Sequence, residues 1–127
     1  MLAGCLPVVR QMPSASFVGW IEDFGQTFTP TQPPAGVVSP EAVVLKLRAE
    51  GFPPFAAGAR MAPPIYGVVT CIEAARCRDQ GLTAPCESLA VWVVDYPDTS
   101  GANGGTAWAM LEALTGEFIS GDGPPEP

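Results

Sequence analysis

The residues that could do chemistry in this chain are four cysteines and a few carboxylates, because the 127-residue sequence contains no histidine. Histidine is the usual general base and the commonest metal ligand, so most hydrolytic and metal-dependent mechanisms lose their central side chain. Nucleophilic catalysis would need Lys46 or a carboxylate as its base, and no motif points to either. We therefore predict a protein that is not an enzyme.

The four cysteines are Cys5, Cys71, Cys77 and Cys86, and they match no zinc pattern because they form no CxxC pair. Cys77 and Cys86 flank a short polar segment between two apolar runs, where a disulfide would close a hairpin loop. In the loop-closure picture such a short ring contributes about 2–3 kcal/mol. We predict a Cys77–Cys86 disulfide, with inert thiols as the alternative. Cys71 is expected to be a small buried residue within a strand.

Four carboxylates could meet near one end of a sheet, namely Asp95, Asp98, Glu112 and Glu117. Several oxygens of this kind are what a calcium ion requires. Their spacing matches no calcium-binding loop, so we interpret them as solvated turn residues and predict neither a metal nor a cofactor. The glycine-rich stretch 101–105 precedes neither a lysine nor a helix start, so it does not indicate a phosphate site.

Two strands near the C-terminal end organise the predicted fold. Leu89–Tyr96 and Thr106–Leu114 are predicted to pair across the glycine-rich loop, followed by a short edge strand at Glu117–Ile119. The nearly continuous apolar run of the first strand indicates a central position with both faces covered. We expect Pro97 to end this strand, and residues 65–75 to form a further strand.

One helix is predicted over residues 40–50. Ser39 can cap the free amide groups at its start, and Gly51 supplies a stop at its end. Three apolar side chains fall on one face of this helix, which is expected to lie on the sheet: Val43, Val44 and Leu47.

Together these elements predict an α+β fold in which one helix packs on a three- to four-stranded antiparallel sheet. The α+β domain covers residues 39–120, with an extended proline-rich N-terminal arm at residues 1–38 and a disordered tail at residues 121–127. A short strand is predicted at residues 17–21. The arm is too apolar to be a free linker, so it packs either on its own domain or on a neighbour. Its large apolar residues are Phe17, Trp20, Ile21, Phe24 and Phe28.

The net charge of the chain limits the kinds of partner that it is expected to bind. Thirteen acidic and six basic residues give a net charge of −7, which repels phosphate backbones, so we predict no nucleic-acid partner. The expected partner is another protein or a second copy of the chain. Trp92 and Trp108 on adjacent strands are interpreted as core or cross-strand partners. If exposed, they and Trp20 would form a binding surface.

The N-terminal residues Leu2-Ala3-Gly4-Cys5 resemble the lipobox of bacterial lipoproteins, in which the cysteine becomes the lipidated first residue. The resemblance makes Cys5 a lipidation candidate and implies an extracellular or cell-envelope location. Any membrane anchoring would then act through lipidated Cys5 alone. The alternative is an accidental tetrapeptide.

The order of elements over residues 39–120 resembles the PepSY domain of small secreted bacterial proteins. That domain ends in an Asp-Ala-x-Thr-Gly-Glu hairpin, and residues 112–117 here are Glu-Ala-Leu-Thr-Gly-Glu, with Glu112 in place of the aspartate. The resemblance implies a non-catalytic module at the cell envelope that binds or restrains peptidases. It carries over no individual site residue.

We therefore expect a non-enzymatic exported or cell-surface binding module that uses an exposed sheet face or edge. The alternative is a structural subunit of an extracellular assembly, such as a filament or surface layer. In that case residues 6–38 would add a strand to a neighbour's open sheet edge.

Overall fold

A computed structural model describes residues 11–56, 58–72 and 88–127, which form a five-stranded antiparallel sheet with a helix on each face. The strands pair in chain order, so each one lies beside its sequence neighbour. The α+β class is confirmed, but the described residues contain two helices and five strands rather than one helix and three to four strands. The elements are α1 (Ala15–Asp23), β1 (Gln26–Pro30), α2 (Pro40–Ala49), β2 (Ile65–Cys71), β3 (Ser88–Ser100), β4 (Thr106–Glu112) and β5 (Phe118–Asp122).

The central strand is β3, as its apolar run predicts. It pairs with β2 on one side and with β4 on the other. Because successive side chains alternate between the faces of a strand, Trp92 and Val94 join the core under α2, whereas Val91 and Val93 join the core under α1. Both faces of β3 are therefore covered.

The expected end of this strand at Pro97 is wrong, because β3 continues to Ser100. The β3–β4 register shifts between Tyr96 and Ser100, so the proline lies where the ladder of hydrogen bonds is interrupted. On the other side, the paired register with β2 ends where Ile65 lies opposite Val93. A proline at this position therefore removes no ladder hydrogen bond, which is why the strand tolerates it.

The helix predicted from its caps is α2. The Ser39 side chain accepts a hydrogen bond from the backbone N–H of Ala42 at 3.1 Å, and Gly51 adopts a left-handed φ of 71° just after the helix. Val43 and Leu47 are fully buried against the sheet. The sequence is sufficient to predict this helix because each of its ends carries a local signal, Ser39 at the start and Gly51 after the end.

Residues 15–30, by contrast, are not an extended arm. They form α1 and β1, and β1 pairs with β2 of the same sheet, so the predicted strand at residues 17–21 and the domain start at residue 39 are wrong. Ser14 caps α1 by accepting a hydrogen bond from the Phe17 N–H, and Phe17 and Ile21 are both fully buried one helical turn apart. The apolar spacing in this segment has the period of a helix rather than of a strand.

Two separate cores hold the helices to the sheet. Under α1, the Phe17 ring meets Trp108 at a centroid distance of 5.1 Å and Phe28 at 5.5 Å, both edge-on. Under α2, buried residues of the helix pack against side chains from β2, β3 and β4. Edge-to-face aromatic pairs contribute beyond their buried area, so α1 is held firmly to the sheet. No helix in the described part of the chain is long and apolar enough to cross a membrane.

The C-terminal segment is ordered further than predicted. β5 extends to Asp122, whose carboxylate accepts a hydrogen bond from the Ala102 N–H at 3.0 Å. The Gly123 carbonyl accepts from the same N–H at 2.8 Å. A disordered tail beginning at residue 121 is therefore wrong, because residues 121–123 hold the loop that joins β3 to β4.

Candidate functional site

A groove of about 310 Å³ lies where β1 ends and β2 begins, beside the first turn of α2. Apart from Ile65, its lining residues fall into three groups that come from distant parts of the chain. The floor is aromatic, the walls are prolines and the rim is polar. The residues that line it are Gln11, Pro30, Thr31, Gln32, Pro33, Pro40, Pro64, Ile65, Tyr66 and Trp92.

The floor consists of Tyr66 on β2 and Trp92 on β3, which lie directly opposite each other in the strand register. Their ring centroids are 5.5 Å apart and their planes meet at 70°. The Trp92 indole N–H donates to the Val38 carbonyl at 3.1 Å, so the only polar atom of this side chain is satisfied within the protein. Only 3% of Trp92 and 7% of Tyr66 are exposed, so the floor is a fixed part of the core.

The walls are four prolines, Pro30, Pro33, Pro40 and Pro64. Each proline has a fixed φ and no backbone N–H. Pro30 ends β1, Pro40 begins α2 and Pro64 precedes β2, so three elements of regular structure hold the walls in place. The groove is therefore largely preformed.

The described rim is polar. Gln11, Thr31 and Gln32 are exposed, and among residues 11–56, 58–72 and 88–127 no charged side chain lines the groove, although the chain as a whole carries a net charge of −7. The Thr31 backbone N–H donates to the Tyr66 carbonyl at 3.2 Å, which extends the β1–β2 ladder by one residue. The rim offers amide and hydroxyl groups for hydrogen bonds, and its described residues include no carboxylate or amine that could act as a general base.

The three tryptophans do not form one surface, because Trp92 lies on one face of the sheet and Trp20 and Trp108 lie on the other. Trp92 lies opposite Leu111, whereas Trp108 lies opposite Asp95 on the other face of the sheet, so the two indoles are not cross-strand partners. Both are buried in the core. Trp20 is half-buried and packs on Trp108 at a centroid distance of 4.7 Å. Of the three, Trp92 lines the groove.

Of the four cysteines, the structure describes Cys71. Cys5, Cys77 and Cys86 lie outside the described residues, so lipidation of Cys5 and the Cys77–Cys86 disulfide stay predictions. Cys71 is fully buried at the end of β2, as expected. It is also disulfide-bonded, whereas the disulfide predicted from the sequence joins Cys77 and Cys86.

The four carboxylates do not meet. Asp95 accepts a hydrogen bond from the Ser14 N–H at 2.9 Å, at the start of α1, and the carboxylate of Asp98 pairs with Arg60 at 3.0 Å. Glu112 lies opposite Val91, towards the other end of β3. Among the residues that the structure describes, no group of three or more potential ligands could hold a metal ion.

Two further hollows lie where α2 meets residues 58–64, and Arg48 lines both of them. The hollow of about 210 Å³ is otherwise lined by glycine, proline, alanine, methionine and one aromatic ring, that of Phe52. In this hollow a single guanidinium without a second polar group does not define the orientation of a ligand. The other hollow, of about 510 Å³, also contains Arg60, but the Arg60 guanidinium is paired with Asp98. We therefore take the Tyr66–Trp92 groove as the candidate site.

Sequence reasoning missed most of this groove. Trp92 was singled out, but Tyr66 and the four wall prolines were not. The prolines were visible as breaks between elements, yet nothing local indicates that Pro30, Pro40 and Pro64 converge. Their convergence depends on β1 pairing with β2, and β1 was not predicted.

Fold and site together define an α+β protein with a covered antiparallel sheet and a preformed groove whose described lining residues carry no charge. No protein-family model, curated protein or solved structure matches this chain. The resemblance to the PepSY domain stays a prediction.

Proposed function

We propose that this protein is a non-enzymatic binding module, exported or held at the cell surface, that binds a segment of a partner protein in the Tyr66–Trp92 groove. The observation that carries the proposal is the groove itself, in which prolines and exposed amide and hydroxyl groups surround two buried aromatic rings, with no charged side chain among the described lining residues. Apolar grooves with a few polar groups at the edge are the usual form of a binding site.

The groove replaces the exposed sheet face that we expected to make the contact. Each face of the sheet carries a helix, and buried side chains from both faces form the two cores. The alternative role is that of a structural subunit whose N-terminal arm adds a strand to a neighbour. In this chain residues 26–30 of the arm pair with β2 of their own sheet, where β1 is the outermost strand.

A preformed groove suits binding for an energetic reason. The Trp92–Val38 hydrogen bond and the fixed φ of the wall prolines mean that little conformational freedom remains to be lost when a ligand enters. The apolar area that a ligand can cover lies on the prolines, of which Pro33 and Pro40 are exposed.

The disulfide at Cys71 supports the exported location. Disulfides persist in oxidising compartments such as the extracellular space and the bacterial periplasm, and they are rare in the cytosol. Lipidation of Cys5 would add a membrane anchor, and that part of the proposal rests on the lipobox resemblance alone.

The test is a selection of displayed protein fragments from a bacterial cell envelope against three purified proteins. The first is the wild type, the second is Thr31→Arg, which places a long charged side chain at the groove, and the third is Thr29→Arg. Thr29 is exposed, two residues away and outside the groove, so it is a matched control. We expect fragments that are enriched on the wild type and on Thr29→Arg but lost on Thr31→Arg. Equal enrichment on all three proteins, or none on any, would overturn the proposal.

A further inference from the structure

We propose that the outer edge of β5 is a second protein-binding surface, where a short extended segment of a partner, apolar in its middle and basic at its ends, adds a strand to the sheet. This surface is separate from the Tyr66–Trp92 groove and does not depend on it. The proposal follows from three features of the edge: its free backbone groups, the exposed apolar side chains beside it and its acidic charge.

The backbone of β5 has hydrogen-bonding groups that point away from the sheet. The Ala113 N–H donates to β3, so every second residue of β4, counted back from Ala113, points its backbone groups towards β3. Leu111 is one of these residues and lies opposite Phe118 on β5. Ala109 is another and lies opposite Gly121. The N–H and C=O groups of Phe118 and Gly121 therefore face outward, and no strand of the described chain pairs with them.

The other outermost strand, β1, is less accessible. Its Thr31 neighbour donates to the Tyr66 carbonyl, so by the same alternation the backbone groups of Gln26 and Phe28 point outward. Only 3% of Gln26 and 8% of Phe28 are exposed, whereas 40% of Ile119 on β5 is exposed. An unpaired edge is a template for another strand when a second chain can reach it, so β5 is the edge that favours strand addition.

Two apolar side chains are exposed at this edge. Ile119 lies within β5, and Phe55, of which 63% is exposed, lies in the turn after α2. Phe55 directly follows Pro54, whose ring is 2.9 Å from the position that a β-carbon of Gly123 would occupy, so the turn lies beside the end of β5. Phe55 also adopts a left-handed φ of 63°, which is rare for a bulky residue. The fold buries little of this ring, so it is available to a partner.

The charge of this half of the chain selects a partner with basic residues. Every charged side chain between residues 88 and 127 is acidic, namely Asp95, Asp98, Glu112, Glu117, Asp122 and Glu126. Glu117 precedes β5 and Asp122 ends it, so antiparallel pairing of two copies along the whole strand would place like charges opposite each other. A segment with a basic residue at each end would place opposite charges there. We therefore assign the edge to a partner rather than to a second copy.

A bulge limits the length of the added strand. The β4–β5 register shifts between Met110 and Leu111, so β5 has one extra residue there. Bulges interrupt the regular row of groups on an edge and oppose unlimited sheet growth. The edge thus suits a short segment whose side chains contribute to binding together with its backbone.

The probe is a capped peptide in which valine and threonine alternate between one lysine at each end. In a first control peptide, two adjacent central residues carry N-methyl groups, so that each edge of the peptide loses a donor. In a second control peptide, glutamates replace the lysines. Binding to the full chain is followed by NMR, in which the backbone amides of Phe118 and Gly121 report on the edge.

We expect saturable shifts and slower hydrogen exchange at these two amides with the probe, and dissociation constants at least about tenfold weaker with either control peptide. Ile119→Lys should weaken binding by a similar factor, because it removes apolar surface and adds a charge that repels the probe. Ile72→Lys is the matched control, since Ile72 is also exposed but follows β2, on the other side of the sheet's centre. Phe55→Ala should weaken binding without lowering the thermal midpoint, because its ring is exposed.

Four results would contradict the proposal. Absence of binding, or equal binding of the N-methylated peptide, would exclude strand addition. Equal losses in Ile119→Lys and Ile72→Lys would reduce the interaction to general attraction between charges. Dimerisation of the chain that is lost in Ile119→Lys would assign the edge to a second copy. The groove is tested independently, since Thr31→Arg should bind this probe as the wild type does.

Discussion

The indole N–H of Trp92 donates to the carbonyl of Val38, 3.1 Å away, and this bond ties the central strand to the segment that leads into α2. Val38 is also held on its other side, because its N–H donates to the Ala113 carbonyl at 2.8 Å. The floor of the groove and the approach to α2 are thus parts of one hydrogen-bonded unit.

Replacing Trp92 with phenylalanine tests this unit. The variant keeps an aromatic ring but removes the donor to Val38, so we expect the free energy of unfolding to fall by about 1–3 kcal/mol. Urea denaturation measures the change. Trp20→Phe is the matched control, since Trp20 is half-buried and its indole has no hydrogen-bond partner among the described residues. Equal losses in the two variants would show that the hydrogen bond from Trp92 to Val38 adds nothing to the free energy of unfolding.

Gly67 on β2 tests the packing of the β1–β2 pair. A β-carbon at this position would collide with the Phe28 ring and approach the Thr29 carbonyl to 2.6 Å. We expect Gly67→Ala to lower the free energy of unfolding by about 1–3 kcal/mol through overpacking. Gly19→Ala is the control, because nothing lies within 4 Å of a β-carbon there. In the interior of α1, alanine should instead stabilise the protein by about 0.5–1 kcal/mol. Thermal unfolding of both variants should therefore give midpoints that move in opposite directions.

Tyr96 carries a hydroxyl group with no hydrogen-bond partner in the described part of the chain, although the residue is fully buried. Its ring packs against Phe52 at a centroid distance of 5.7 Å. Because the hydroxyl makes no compensating bond, we expect Tyr96→Phe to leave the stability at pH 7 unchanged or to increase it by about 1 kcal/mol. A clear loss of stability in chemical denaturation would mean that the hydroxyl has a partner.

The same residue predicts how stability changes in alkaline solution. Burial raises the pKa of the Tyr96 phenol well above its ordinary value. Between the unfolded pKa of about 10 and the raised folded value, the unfolded chain has lost this proton while the folded chain retains it, so stability falls as pH rises. We expect Tyr96→Phe to lose less stability than the wild type between pH 9 and pH 11. Parallel decline of the two proteins would contradict the raised pKa.

The disulfide at Cys71 can be mapped without mutation. Trypsin cleaves after Arg76 and Arg78, which separates Cys71, Cys77 and Cys86 into three peptides. In a non-reducing digest we expect the Cys71 peptide to be linked to another cysteine peptide, and mass spectrometry identifies which one. A link to Cys77 or Cys86 would also exclude the predicted Cys77–Cys86 pair. A free Cys71 thiol in the native protein would contradict the structure.

The sequence by itself determined the elements whose signals are local. The cap at Ser39 and the glycine stop at Gly51 defined α2, and the apolar run of β3 indicated a central strand with both faces covered. For α1 the signal is the helical spacing of Phe17 and Ile21, although the surrounding prolines favour an extended segment. That information was present in the chain.

The existence and lining of the groove depend on the tertiary structure and could not be predicted from the sequence. Pro30, Pro40 and Pro64 are far apart in sequence, and they meet because β1 pairs with β2 and α2 begins beside that pair. Likewise, Tyr66 lies against Trp92 because of the register between β2 and β3. Strand register depends on contacts between distant residues and is settled by how the whole sheet buries its two faces, so no short stretch of sequence specifies it.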